Sequence, residues 1–395
     1  MIGSRLNSPH VAVAPDDRLS SIDCLRGLAL FGVLAINLET EFRVSMFTQF
    51  IPAAANRGLD GLIDAVLIIF LQHKGLALFS LLFGVGLAIQ FERLATSGRR
   101  AILLVRRLLA LLAFGLFHMI FIWNGDILTE YALAGMVVVP LLYCGPTWLA
   151  VGAAGFFALY LLLQFFPGLV PFPDAAWLRR HVAAAVQTYG SGDYSEVLKF
   201  RIRELPAILP LHLYIFPRTL ALMLLGAIFW QMGLFKPVRK PGVLPTVSGA
   251  LIASGLVLTL GTTAGAYSSW WQLAVILGAA LAPVILATGY LAVILVAYRL
   301  GHGRHGPAWI ESLGRMAFTN YVVQSVVLGF IFYGYGLGLF GKLSLTEGLV
   351  FVMVLYITQS IASHLWLKRF RYGPLEWLWR TATYGFAPPF LRSTS

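Results

Sequence analysis

Residues 101–123 read AILLVRRLLALLAFGLFHMIFIW. Apart from Arg106, Arg107 and His118, no side chain in this stretch is ionisable. As a helix rising about 1.5 Å per residue, it is long enough to cross about 30 Å of hydrocarbon. The pattern recurs at 25–38, 75–91, 127–143, 147–166, 209–235, 243–264, 271–298, 316–335 and 345–367, which makes ten apolar runs. The composition agrees, with 58% of the 395 residues hydrophobic and 12% charged, against about 45–50% and about 25% in soluble domains. A mean hydropathy of +0.79 excludes a soluble enzyme. The expected fold is all-α, a polytopic integral membrane helical bundle of about ten transmembrane helices.

Residues 59–72 are apolar but short. Leu59, Leu62, Ile63, Val66, Ile69 and Phe70 recur at helical spacing, with Asp60 and Asp64 on the other side, as in a helix lying in the membrane interface. The long polar stretch 167–206 reads as an extracytoplasmic cap of amphipathic helices. The expected order is a cytoplasmic tail (1–22), a first bundle (23–166), the cap (167–206), a second bundle (207–367) and a second tail (368–395).

The net charge of +12 does not point to nucleic acid. Its basic residues cluster between apolar runs, at Arg93, Arg99, Arg100, Arg106 and Arg107, at Lys236, Arg239 and Lys240, at Arg299, Arg304 and Arg315, and at Lys368, Arg369 and Arg371. Lys and Arg favour cytoplasmic loops. All four clusters fall on one side when ten spans are counted and 59–72 stays in the interface, so both termini are expected in the cytoplasm. Cys24 and Cys144 both lie in apolar runs and read as packing residues. His302 and His305 share a Gly-rich loop, but no His-Glu-x-x-His, Walker or Gly-x-Ser-x-Gly pattern occurs, so no metal or permanently bound cofactor is expected.

Ionisable groups at membrane depth cost about 2.5–3.5 kcal/mol and mark functional sites by default. On this topology Asn37, Lys74, His118, Asp126 and Arg218 gather at the outer mouth. Asp23 and Arg26, three residues apart, suit a helical ion pair, and Arg315 opens the ninth run at the same inner side. Asn320 and Gln324 share one helix face, as substrate ligands or as hydrogen-bonding glue between helices. Gly84 and Gly86 suit close helix packing better than a phosphate loop.

Several motifs carry a resemblance. Ser21-Ile22-Asp23-Cys24-Leu25-Arg26-Gly27, Ile36-Asn37, Phe79-Ser80-Leu81-Leu82-Phe83-Gly84-Val85-Gly86 and Trp123-Asn124-Gly125-Asp126 are four of them. Leu313-Gly314-Arg315-Met316-Ala317-Phe318-Thr319-Asn320-Tyr321 and Phe370-Arg371-Tyr372-Gly373-Pro374-Leu375-Glu376-Trp377 complete the set. Together they resemble the bacterial YeiB-like family of multipass membrane proteins, which implies the bacterial inner membrane. The opening Asp-x-x-Arg-Gly is similar to that of transmembrane acyltransferases, including the enzyme that acetylates the terminal glucosamine of heparan sulfate. Those proteins move an acyl group from cytoplasmic acyl-CoA to an acceptor across the membrane and use a membrane histidine.

That resemblance implies acyl transfer from acyl-CoA, as co-substrate, to a hydroxyl or amine of an extracytoplasmic or lipid-linked glycan. His118 would be the general base and Asp126 its orienting carboxylate, provided the chain turns at Gly125. Asp23, Arg26 and Arg315 would bind the donor; Asn37, Lys74, Arg218, Asn320 and Gln324 would bind the acceptor. The heparan enzyme's histidine lies between its first two long spans, where this chain has His73, the reserve candidate. A transporter or lipid-handling protein is the alternative. Membrane lipid is the expected surrounding, and a homo-oligomer is left open.

Overall fold

The computed structural model describes residues 19–52, 56–236, 242–264, 272–301 and 307–392. Among them, the apolar runs fold as α1 (Ser20–Asn37), α2 (Gly58–Phe70), α3 (Lys74–Arg93), α4 (Arg100–Phe117), α5 (Leu128–Leu141), α6 (Pro146–Phe165) and α7 (Ala175–Ser191). There follow α8 (Tyr194–Gln231), α9 (Leu244–Ala264), α10 (Gln272–Arg299), α11 (Ala308–Arg315), α12 (Ala317–Phe332), α13 (Leu345–Arg369) and α14 (Pro374–Tyr384). Among the described residues, one bridge between Phe370 and Leu391 is the sole extended pairing. The fold is all-α and polytopic. Arg239, Lys240, Arg304, His302, His305 and most of the N-terminal tail lie outside the described residues.

Eight runs among the described residues are long and apolar enough to cross hydrocarbon, and α11 with α12 makes a ninth if that pair, bent by 83°, is one span. The expected run 127–143 is the short one. The chain leaves helical geometry at Trp123 (φ −163, ψ 131) and resumes as the 14-residue α5.

Other boundaries also move. A single α8 starts at Tyr194 and continues through Pro206, Pro210 and Pro217 to Gln231, so no helix starts near 209. A capping box between Asp193 and Glu196 sets its start, supplying partners to backbone N–H groups that the first turn leaves over. Residues 58–93 form one 36-residue apolar run, jointed where His73 takes a left-handed φ of 62. That exceeds the ~20 residues a bilayer needs, and α2 is its open part, with Leu67 alone fully buried. Asp60 accepts hydrogen bonds from the Leu345 and Thr346 N–H groups and the Thr346 hydroxyl, a second cap on α13 beside its Ser344–Glu347 box. Cys24 is buried as expected, whereas Cys144 is exposed, because it sits in the turn that ends α5.

Small residues set the helix spacing. A Cβ at Gly84 would drive into the Met223 carbonyl and one at Gly226 into the Leu81 carbonyl, so α3 and α8 meet backbone to backbone, as small residues permit in membranes. Around this seam pack Leu81, Leu82 and Val85 of α3, Leu222 of α8, and Ala287 and Leu291 of α10.

Candidate functional site

A cavity of about 230 Å³ lies between α1, α3, α4, the start of α5, α11, α12 and α14. One buried water needs only about 15 Å³, so the space is ligand-sized. Arg26, Arg107, Arg315 and Arg380 line it with the carboxylate of Glu376; Leu76, Phe79, Leu82 and Phe83 form an apolar wall, and Tyr131, Ile127, Leu128 and Tyr321 also line it. Four guanidiniums around one apolar space suit a ligand with phosphates and a long uncharged arm.

Neighbours position Arg26, Arg107 and Arg380. Arg26 pairs with Asp23 at 3.5 Å, and its Nη2 would lie 3.3 Å from a Cβ at Gly86, so that glycine makes room for the guanidinium. Arg107 lies 3.5 Å over the Trp379 ring, whose indole N–H donates to the Arg107 carbonyl at 2.8 Å. Arg106, on the same turn, donates to the Ala382 carbonyl at 3.0 Å, so the pair docks α14 on α4. Arg380 lies 4.7 Å over the Tyr372 ring.

Glu376 crowns the break between α11 and α12. Its carboxylate accepts from the Phe318 N–H at 2.9 Å, the Thr319 N–H at 3.1 Å and the Thr319 hydroxyl at 2.6 Å, capping the first-turn donors of α12. Burial pushes its pKa up from 4.5, and the hydrogen bonds from Thr319 and Phe318 oppose the rise. The folded protein therefore holds this proton to higher pH than the unfolded chain does, and the stability linked to Glu376 is present below about 4.5 and lost as pH rises through its raised folded value. Melting temperatures of wild type and Glu376→Gln across this range should diverge, wild type losing ground as pH rises; parallel curves would remove the linkage.

Beyond the Tyr321 end lie His118 and Asp126, 1% and 0% exposed, with Nδ1 2.9 Å from Oδ1. The N–H direction is poorly aligned for a hydrogen bond, and neither imidazole nitrogen completes one, while Asp126 Oδ2 accepts from the Thr129 N–H at 2.7 Å. The Tyr321 ring is 5.2 Å from the imidazole, centre to centre. Two local devices bring the pair together. A π-helical turn, His118–Ile122, widens the end of α4, a distortion common at functional sites. Gly125 then lets the chain double back, since a Cβ there would collide with Glu41 and Trp123. Along α4, Arg107 and His118 are eleven residues apart, about 16 Å.

The structure disperses the other predicted residues. Lys74 is buried and its ammonium donates to the Ile68 carbonyl at 2.6 Å, so it closes the end of α2 and does not line the cavity. Asn320 donates to Ser363 at 2.9 Å, Gln324 donates to Gln359 at 2.9 Å, and Gln359 returns a bond to the Asn320 carbonyl at 3.0 Å. This ladder joins α12 to α13. Arg218 is buried 5.6 Å over the Tyr160 ring, Asn37 is half-buried at the end of α1, and His73 is exposed at its turn. Neither these three nor Asn320 and Gln324 line the cavity. Sequence reasoning missed Arg380, Glu376, Tyr131 and Tyr321 as lining groups and treated Arg107 as a topology signal.

The class is thus a polytopic α-helical membrane protein with a basic, ligand-sized cavity leading toward a buried His–Asp pair. The chain belongs to the YeiB-like family. It is 33% identical over 403 residues to the uncharacterized protein YxaH of Bacillus subtilis (strain 168), covering 96% of this chain and 97% of that one. The uncharacterized protein YeiB of Escherichia coli (strain K12) is 29% identical over 394 residues, covering 96% of this chain and all of its own. Residues 229–386 match the family described as Protein of unknown function (DUF418), a stretch that includes Arg315, Tyr321, Glu376 and Arg380.

Proposed function

We propose that this chain is a membrane acyltransferase that moves an acyl group from acyl-CoA to a hydroxyl or amine of an extracytoplasmic or lipid-linked glycan. The observation that carries this reading is the cavity, with guanidiniums from Arg26, Arg107, Arg315 and Arg380 and an apolar wall leading toward Tyr321, behind which His118 lies. The CoA phosphates bind the arginines. The pantetheine arm, extended over the ~16 Å that separates Arg107 from His118 on α4, brings the thioester toward the imidazole. His118 removes the acceptor proton as the acceptor attacks the thioester carbonyl, the C–S bond breaks, and the proton passes to the departing thiolate. Asp126, held by the Thr129 N–H, orients the ring and stabilises the imidazolium. In this reading the arginine end is cytoplasmic, both termini lie on that side, and the protein resides in the bacterial inner membrane.

Losing a charge-assisted hydrogen bond costs about 1.5–3 kcal/mol. Arg26→Ala, Arg315→Ala and Arg380→Ala are therefore each expected to raise KM for acetyl-CoA about tenfold or more with a smaller effect on kcat; unchanged KM in all three would remove the donor from this cavity. A transport reading draws support from the 83° break between α11 and α12, since broken helices line solute paths in transporters. Purified protein reconstituted with labelled acetyl-CoA separates the two. Label on an acceptor supports the enzyme, and solute uptake without label supports transport.

A further inference from the structure

Three consecutive residues, Asn124, Gly125 and Asp126, each meet a different acidic or basic group. Asp126 touches His118 at 2.9 Å, Gly125 lies against the Glu41 carboxylate, and the Asn124 amide donates to Glu204 at 2.5 Å. Glu204, 2% exposed, also meets His181 Nε2 at 2.6 Å and accepts from the Tyr189 hydroxyl at 2.8 Å. His181 lies on α7, stacked between Trp177 and Phe200, with 11% of its side chain reaching the surface.

This buried line is under-bonded along its length. Both nitrogens of His118, Glu41 Oε2, the Trp123 indole nitrogen, and Nε and Nη2 of the wholly buried Arg201 have no hydrogen-bond partner. Buried polar atoms are seldom left so. Together they supply donors and acceptors between His118 and α7, which is what chains of Asp, Glu and His that pass protons through membranes require. The neighbouring elements add Tyr321 and Tyr333, within electrostatic reach of Glu41, and Arg201, within reach of Tyr333 and Tyr189. Arg43 and Asp64 face Glu39 instead, two residues before Glu41 in the same π-helical turn.

We propose that Glu41, Glu204 and His181 form a proton route that connects the buried His118–Asp126 pair to the α7 end of the bundle. Protons pass along this line by way of the unpaired donors and acceptors between its members, with Asn124 fixing Glu204 in place and Glu41 within electrostatic reach of Glu204. Direct acyl transfer returns the acceptor's proton to the thiolate, so the route is not a reactant path. It sets the resting protonation of His118 from the end opposite the arginines. It stands on the placement of these groups and not on the acyl reading.

The test is proton exchange at the His118 ring, followed by 15N NMR on full-length protein with labelled histidine in lipid nanodiscs, His118→Asn identifying the signal. Glu41→Gln and Glu204→Gln, which keep shape but carry no exchangeable carboxyl proton, are each expected to slow exchange about tenfold or more. His181→Phe, which preserves the stacking, should do the same, while Glu39→Gln leaves the rate unchanged. If Tyr321→Phe slows exchange and the two Gln variants do not, protons reach His118 from the arginine cavity and the route is wrong. Slowing in Glu39→Gln equal to that in the others also overturns it, because a general loosening would then explain the effect. Where Glu204→Gln fails to fold, Glu41→Gln decides alone. Acyl transfer is assayed separately, so an inactive wild type leaves the exchange result standing.

Discussion

Replacing His118 with alanine should lower acyl transfer about 10²–10⁴-fold, the range that a positioned acid–base group contributes, while the protein still reaches the membrane. The ring is 1% exposed and completes no hydrogen bond, but it is the charge contact of the buried Asp126 carboxylate, so the alanine variant loses a base and should also melt below wild type. His118→Asn, which fills more of the space, separates chemistry from packing: it should be as inactive as the alanine variant and melt closer to wild type. Asp126→Asn should also be inactive, with acetyl-CoA binding retained. Full activity in His118→Ala would move the chemistry elsewhere. The first place to look would be His212, whose Nδ1 lies 3.0 Å from Glu130, itself accepting from the Thr219 hydroxyl at 2.5 Å, ahead of the exposed His73.

The second large effect falls on the fold. Gly84→Ala puts a methyl group into the Met223 carbonyl of α8, where a backbone oxygen must yield rather than a flexible side chain. Overpacking a tight contact costs about 1–3 kcal/mol, and more where the backbone must shift. Prising α3 from α8 would also disturb the Gly226 contact and the α3 wall of the cavity. The expected result is loss of a monodisperse peak on size-exclusion chromatography and a much lower melting temperature. Gly86→Ala, two residues on, meets only the movable Arg26 guanidinium, so it should fold normally and weaken donor binding alone. Equal melting of Gly84→Ala and wild type would show that the two helices are not held at this distance.

Much of the architecture was legible because hydrocarbon is a simple solvent. Long runs such as 101–123 can satisfy their backbone only as helices there, and the Asp23–Arg26 pair follows from a spacing of three on one helix. The turn at Gly125 that an Asp126–His118 contact demands was also visible, as was the glycine pair's preference for close packing. By contrast, hydropathy along 209–235 marks where lipid is met and not where hydrogen bonding begins, so the extension of α8 back to Tyr194 escaped it. The apolar run expected from 316 does begin at the break, but α11 before it, eight residues carrying Glu311 and Arg315, is too short and polar to show as a run, so the pair bent by 83° was not legible.

What the sequence by itself determined is the class, the helical runs and the contacts within a few turns of chain. Only the tertiary structure decided which polar groups meet. Lys74 was expected at a substrate mouth and closes α2 on the Ile68 carbonyl, Asn320 and Gln324 join α12 to α13, and Glu204 gathers Asn124, Tyr189 and His181 from distant segments. A helix's own period fixes which residues share a face. The neighbour that face meets is set by tilt and rotation, which follow from packing against other helices, here from seams such as Gly84 against Met223 that no single segment contains.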